Sequence, residues 1–187
     1  MSDGYLSIED NNLAQKFLRD GYVVRPAEDL EGLDRLRHSL VKSICQHLNL
    51  DLPSKEADFL NTVHKKISSE NVNEIRLKVF NDLNKLPSIK HTYYSLAKET
   101  LDVLVGNELA MQKRINLSIQ LPDDDSSLLP VHADVWSGDS PFEVVIWVPL
   151  VNCYGTKTMF LLPPQQDQEV SRKLALFRGE SAEDLYK

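Results

Sequence analysis

The chain has 187 residues, enough for one domain with its own core, and its 42% apolar and 26% charged residues are those of an ordinary globular protein. A net charge of −7 and a pI near 5.2 argue against a nucleic-acid or anionic-membrane partner, since both need a basic surface. No apolar run is long enough to span a bilayer, Met1 to Tyr5 lack the features of a secretory signal, and Cys45 and Cys153 make neither a disulfide framework nor a zinc spacing, so a cytoplasmic location is expected.

The N-terminal half reads as helix. Asp10 is placed to cap a helix carrying Leu13, Phe17 and Leu18, and Gly21 to end it. Tyr22-Val23-Val24 then reads as a short strand. Leu33, Leu36, Leu40, Ile44 and Leu48 recur at spacings of three and four, which predicts an amphipathic helix closed by Pro53. Val72, Ile75, Val79 and Leu83 repeat the pattern until Pro87. One further helix is expected over residues 93–105, before Gly106.

Beyond Gly106 the period changes. Ile115, Leu117, Ile119 and Leu121 alternate with Asn116, Ser118 and Gln120, the signature of a half-buried strand. Pro122-Asp123-Asp124-Asp125-Ser126-Ser127 reads as a polar turn. A strand through His132 follows, then a loop over residues 137–141. The apolar run 143–151 reads as a central strand. Residues 158–162 make a further strand, stopped by Pro163-Pro164. Helices first and antiparallel strands after predict an α+β fold, with helices packed on one face of a sheet. A jelly roll would supply eight strands, of which about half are legible. A single domain is expected over residues 1–187, with a helical part at about 7–106, a β part at about 109–164 and a tail at 165–187.

The chemistry-bearing motif is His132-Ala133-Asp134. On a strand, residues two apart point the same way. An imidazole and a carboxylate side by side are two legs of the 2-His-1-carboxylate facial triad that holds non-haem Fe(II) with open positions. The bare motif is common: five histidines and 28 acidic residues give about 0.75 chance occurrences of His-x-acid. Elsewhere it marks a histidine hydrogen-bonded to a nearby acid.

Three stretches give it context: Asn116-Leu117-Ser118-Ile119-Gln120-Leu121-Pro122, His132-Ala133-Asp134-Val135-Trp136, and Glu143-Val144-Val145-Ile146-Trp147-Val148-Pro149-Leu150. With Phe17-Leu18-Arg19-Asp20-Gly21-Tyr22-Val23-Val24, the chain resembles the phytanoyl-CoA dioxygenase-like Fe(II)/2-oxoglutarate oxygenases. It is most similar to a bacterial subset associated with carbohydrate and surface-polysaccharide gene clusters. The likeness is dense from Asn116 to Pro164 and thin between Pro26 and Val105. It implies a double-stranded β-helix (jelly-roll) fold, with Fe(II) and 2-oxoglutarate as cofactors. It also implies hydroxylation of a small-molecule or sugar substrate, with surface polysaccharide biosynthesis as a setting. His132 and Asp134 would be metal ligands. Gln120 and Trp147 would line the 2-oxoglutarate site, with Lys157, or its neighbours Thr156 and Thr158, reaching the co-substrate's carboxylate. Trp136, Asp139 and Glu143 would lie on the substrate side.

The sequence departs from that pattern at its end. Relatives carry a distal histidine and, shortly beyond it, an arginine for 2-oxoglutarate. Here no histidine follows His132, and Arg172 and Arg178 follow none. His38, His47, His64 and His91 fall in predicted helices and read as helix-face residues. The stretch from Glu180 to Lys187 reads as the start of an amphipathic helix. The sequence is therefore expected to be the N-terminal portion of a longer protein. The alternative is a non-catalytic relative that binds a carbohydrate or a partner without a complete metal site. A cupin-type metal isomerase would need a nearby glutamate and second histidine, and neither is in place.

Overall fold

In the computed structural model, residues 6–124 and 132–175 are described. The described residues form seven α-helices: α1 (Ile8–Asp20), α2 (Leu30–Leu48), α3 (Glu56–Thr62), α4 (Val72–Lys85), α5 (Ile89–Ser95), α6 (Lys98–Val105) and α7 (Pro164–Ala175). Short 3-10 turns occupy Val63–Lys65, Asp134–Ser137 and Gly155–Lys157.

The helix boundaries follow from local chemistry. Ser7 opens α1: its hydroxyl accepts from the Asp10 N–H, and the Asp10 carboxylate accepts from the Ser7 N–H at 2.9 Å. This is a reciprocal capping box. The cap is therefore Ser7, with Asp10 as its partner one turn in. Gly21 ends the helix at φ 78°, a left-handed conformation that a Cβ would penalise. Asp29 caps α2 by accepting from the Gly32 N–H at 2.7 Å. A Cβ on Gly32 would lie 2.2 Å from that same carboxylate, so close approach accounts for the glycine. Asn49, in the left-handed region at φ 53°, ends α2.

The expected helical stripes form the core. Leu40, Val41, Ile44 and Cys45 of α2 pack with Val72, Ile75, Val79 and Leu83 of α4, and Leu60 and Ile67 close one end. Leu36, Ile89, Leu96 and Ile115 make a second cluster with Tyr93 against it. The single helix expected over residues 93–105 is instead two, α5 and α6, separated at Leu96 and Ala97. The Glu28 carboxylate supplies the N-terminal cap of α6, accepting from the Glu99 N–H at 2.7 Å and the Thr100 N–H at 3.0 Å. Helices α3 and α7 carry no long apolar stripe and were not expected from the sequence.

The α+β fold with a jelly-roll sheet is not what forms. Among the described residues there is no strand, and the architecture is helical. The expected strands at 22–24, 115–121, 143–151 and 158–162 are irregular or extended segments without a ladder, and Asp134 to Ser137 are in a 3-10 turn. The alternation read in two of these segments is nonetheless physical. Ile115, Leu117, Ile119 and Leu121 turn toward the helices while Asn116, Ser118 and Gln120 are exposed. Likewise Val144, Ile146, Val148 and Leu150 are half-buried while Val145, Trp147 and Pro149 are exposed.

Pairing has gone to helix side chains instead. Asn84 accepts from the Ile115 N–H at 2.8 Å and donates to the Ile115 carbonyl at 2.9 Å, as a neighbouring strand would. Arg76 donates to the Leu117 carbonyl at 3.4 Å, and the Tyr93 hydroxyl donates to the Ile146 carbonyl at 2.7 Å. Asn61 accepts from the Asn152 N–H at 3.1 Å. Each of these satisfies a backbone group that a sheet would otherwise have to satisfy. Period-two patterning reports which side chains are covered, and a helical layer can cover them as well as a sheet can.

Candidate functional site

His132 and Asp134 do come together, although not on a strand. Asp134 opens the 3-10 turn Asp134–Ser137, which ends at Gly138 with φ 98°. Ala133, between the two, has extended backbone angles (φ −122°, ψ 137°), and the His132 Nε2 lies 3.6 Å from the Asp134 Oδ1. Both side chains are accessible, at 35% and 50% exposure respectively. The Asp139 N–H donates to the Asp134 carbonyl at 3.3 Å and the Gly138 N–H to the Val135 carbonyl at 3.3 Å, which closes the turn beneath the pair.

The separation can be compared with what a metal requires. With metal–ligand bonds of about 2.1 Å, atoms 3.6 Å apart subtend roughly 120° at a shared ion. Neighbouring legs of an octahedral facial site subtend about 90°, or roughly 3.0 Å, so closing by about half an ångström brings the pair to that geometry. Two donors thus fit one cation. Among the described residues, no group of three or more His, Cys, Asp or Glu side chains is assembled to hold a metal ion. The described residues therefore do not supply the full three-ligand set.

Two other histidines are committed to helix–helix pairs. His38 lies 2.5 Å from Glu56, joining α2 to α3. His47 Nε2 lies 2.7 Å from Asp82 Oδ2, joining α2 to α4, and the Ser43 hydroxyl donates to the same oxygen at 2.9 Å. These hydrogen bonds, the one from His47 foremost, hold the Asp82 carboxyl below its ordinary range.

The remaining expected site residues are placed as follows. Gln120 and Trp147 are both exposed, on the faces of their segments turned away from the helical core. Lys157 is exposed, with its ammonium 4.9 Å from the centre of the Tyr154 ring, within cation–π range. Its neighbour Thr158 donates to the Gly155 carbonyl at 3.0 Å. Asp139 is exposed, and so is Glu143, whose N–H donates to the Ser140 carbonyl at 3.0 Å. Trp136 belongs to the 3-10 turn. A cleft at α1, lined by Glu9, Leu13, Lys16 and Arg25 among others, contains none of them. Arg178 and the stretch from Glu180 to Lys187 lie outside the described residues, as do Asp125, Ser126 and Ser127 of the expected polar turn.

Sequence reasoning missed the residues that hold the site-bearing segments in place, Asn84 and Tyr93. Tyr93 is half-buried against the second cluster, and the loss of solvent around it pushes its phenol up to about 12. The available signal was slight: an asparagine inside a helical stripe, beside Leu83, where a helix former would be expected.

No helix among the described residues is long and apolar enough to cross a membrane. The chain matches no family model, no curated protein and no solved structure.

Proposed function

We propose that the chain contributes His132 and Asp134 to a non-haem Fe(II) site serving 2-oxoglutarate-dependent oxidation of a small-molecule or carbohydrate substrate. The observation that carries this reading is the 3.6 Å approach of an imidazole nitrogen and a carboxylate oxygen, both accessible. Fe(II) bound with a 2-oxo acid supplies the oxidising chemistry, coupling decarboxylation to hydroxylation of a C–H bond. The chain's own residues bind and orient. The exposed Gln120 amide offers donors and an acceptor to a carboxylate or a sugar hydroxyl. The open face of Trp147 offers a stacking surface for a ring. The Lys157 ammonium offers a positive charge to a carboxylate. Trp136, Asp139 and Glu143 are assigned to the substrate.

The test is calorimetric titration with Fe(II) under anaerobic conditions, or with Mn(II), with and without 2-oxoglutarate, on the chain and on His132→Ala and Asp134→Ala. Binding that 2-oxoglutarate strengthens and that each substitution weakens at least tenfold is expected. Binding indifferent to both substitutions removes the proposal.

A second reading is a non-catalytic relative that binds a carbohydrate or a partner. It is favoured by the lack of a third ligating side chain beside the pair among the described residues. Sugar binding that persists in chelator and in His132→Ala would support this reading over the first.

A further inference from the structure

Helix α1 adds no residue to either apolar cluster and has no fully buried side chain. Asp10, Leu13, Ala14 and Phe17 are half-buried, at the spacing of one helical stripe. The helix packs on α6, and that contact is incompletely filled. Two open clefts of about 230 and 170 Å³ flank it; both reach Glu9, Leu13 and Arg25, and the second also reaches Thr100 and Val103 of α6. Among the described residues, every hydrogen bond and ion pair of residues 6–21 stays within that stretch, and residues 22–27 make none. The first polar tie to the body is Glu28. Its N–H donates to the Leu96 carbonyl at 3.0 Å, and its carboxylate caps α6. Ala27 beside it packs on the second cluster. The connector over residues 22–26 thus runs untied from the left-handed Gly21 to a fixed point.

We infer that α1 is a hinged cover, which leaves α6 as a unit about residues 22–26 while Glu28 keeps α6 in place. Leaving gives up the cover of one half-buried stripe and the approach of Pro164 to Gly21, where an added Cβ would lie 3.4 Å from the proline Cγ. Global unfolding must also dismantle the α2–α4 seam, where Val41, Ile44 and Val79 are sealed. The open form is therefore populated well above the unfolded chain. A helix of 13 residues is marginal in water by itself, so α1 loses its hydrogen bonds once it is off α6. Opening uncovers Leu13 on one side and Thr100 and Val103 on the other, and the core stays closed. The device controls access to the α6 face, and it does not depend on the metal reading.

The experiment is native-state amide hydrogen exchange of the full chain, read residue by residue with small additions of urea. The hydrogen-bonded amides of α1 should share one opening, with protection at least about a hundredfold below that of the slowest amides of α2 and α4. That opening should respond to urea much less than global unfolding does, because it exposes little surface. Leu13→Ala removes cover while placing a better helix former in α1, so faster exchange there reports lost docking. It should speed α1 exchange about tenfold and leave α2 and α4 unchanged, which also shows that the variant is folded. Val103→Ala, on the opposite side of the same contact, should release α1 in the same way. Protection in α1 equal to that of α2 and α4 overturns the inference. So does protection that rises one amide at a time from Ile8, which is fraying from the end. Variants that speed α1 and the core alike, or that leave α1 unchanged, overturn it as well.

Discussion

Asn84 shows how much a single side chain can decide. Its amide meets both backbone groups of Ile115 and also donates to the Phe80 carbonyl at 2.8 Å. Asn84→Leu keeps the volume and leaves the Ile115 groups unpaired in a half-buried place. A loss of about 1–3 kcal/mol is expected in urea denaturation. A loss below about 0.5 kcal/mol would mean that water replaces the amide at no penalty. Tyr93 gives a second expectation. Its phenol is raised to about 12 by burial, above the ordinary value of 10.0. A raised folded-state value contributes stability that is fully present below the unfolded value and lost as pH rises through the folded one. Denaturation midpoints should therefore fall between about pH 10 and 12, and Tyr93→Phe should remove that alkaline phase. At this scale the closeness of two side chains was readable and the regular structure around them was not. His132 and Asp134 are neighbours across an extended Ala133, but no ladder forms there and a 3-10 turn closed by Gly138 begins at Asp134. An extended residue between two others suffices to set their side chains close, so the proximity was legible without the sheet around it.

At the scale of elements, the join between α2 and α4 carries the most information. Ser43, His47 and Asp82 lock polar positions beside the apolar seam of Ile44, Val79 and Leu83. The Asp82 carboxyl is depressed, so its contribution is present above the unfolded value of 3.8 and lost as pH falls through the folded one. Stability should decline below about pH 4 more steeply in the wild type than in Asp82→Asn, measured by urea midpoints. Equal acid slopes would show that the bonds to His47 and Ser43 add no net stability. The helices with repeating apolar positions, α2 and α4, were legible because their buried faces are long. α3 and α5 have seven residues each, too short for a period to declare itself. The run from Tyr93 to Val105 hid a break because Ala97 and Lys98 are good helix formers, and no glycine or proline marks the join. The extended segments were misassigned for a different reason. Alternation is set by cover on one side, and hydrogen-bond partners are a separate matter that Asn84, Arg76 and Tyr93 settle here.

For the whole molecule, the correction from α+β to helical has a direct optical consequence. Far-UV circular dichroism of the chain should be dominated by helix, with thermal loss of that signal following α2 and α4. A spectrum dominated by sheet would contradict the architecture. Amide exchange should be slowest on the buried faces of α2 and α4, where Val41, Ile44 and Val79 are sealed, and fast across residues 159–162. Composition and charge depend on totals and not on which segment pairs with which. The layout of layers depends on long-range pairing that no local pattern encodes.

The grip of α4 on Ile115 also orders events in time. The α2–α4 core is built from residues 40–83, all earlier in the chain than the first extended segment they hold. During synthesis the N-terminal part emerges first. A finished helical platform would then present Asn84 and Tyr93 before residues 115 and 146 have left the ribosome. Each extended segment would be captured on arrival, by groups already fixed in position, and would spend little time as an exposed apolar stretch open to other nascent chains.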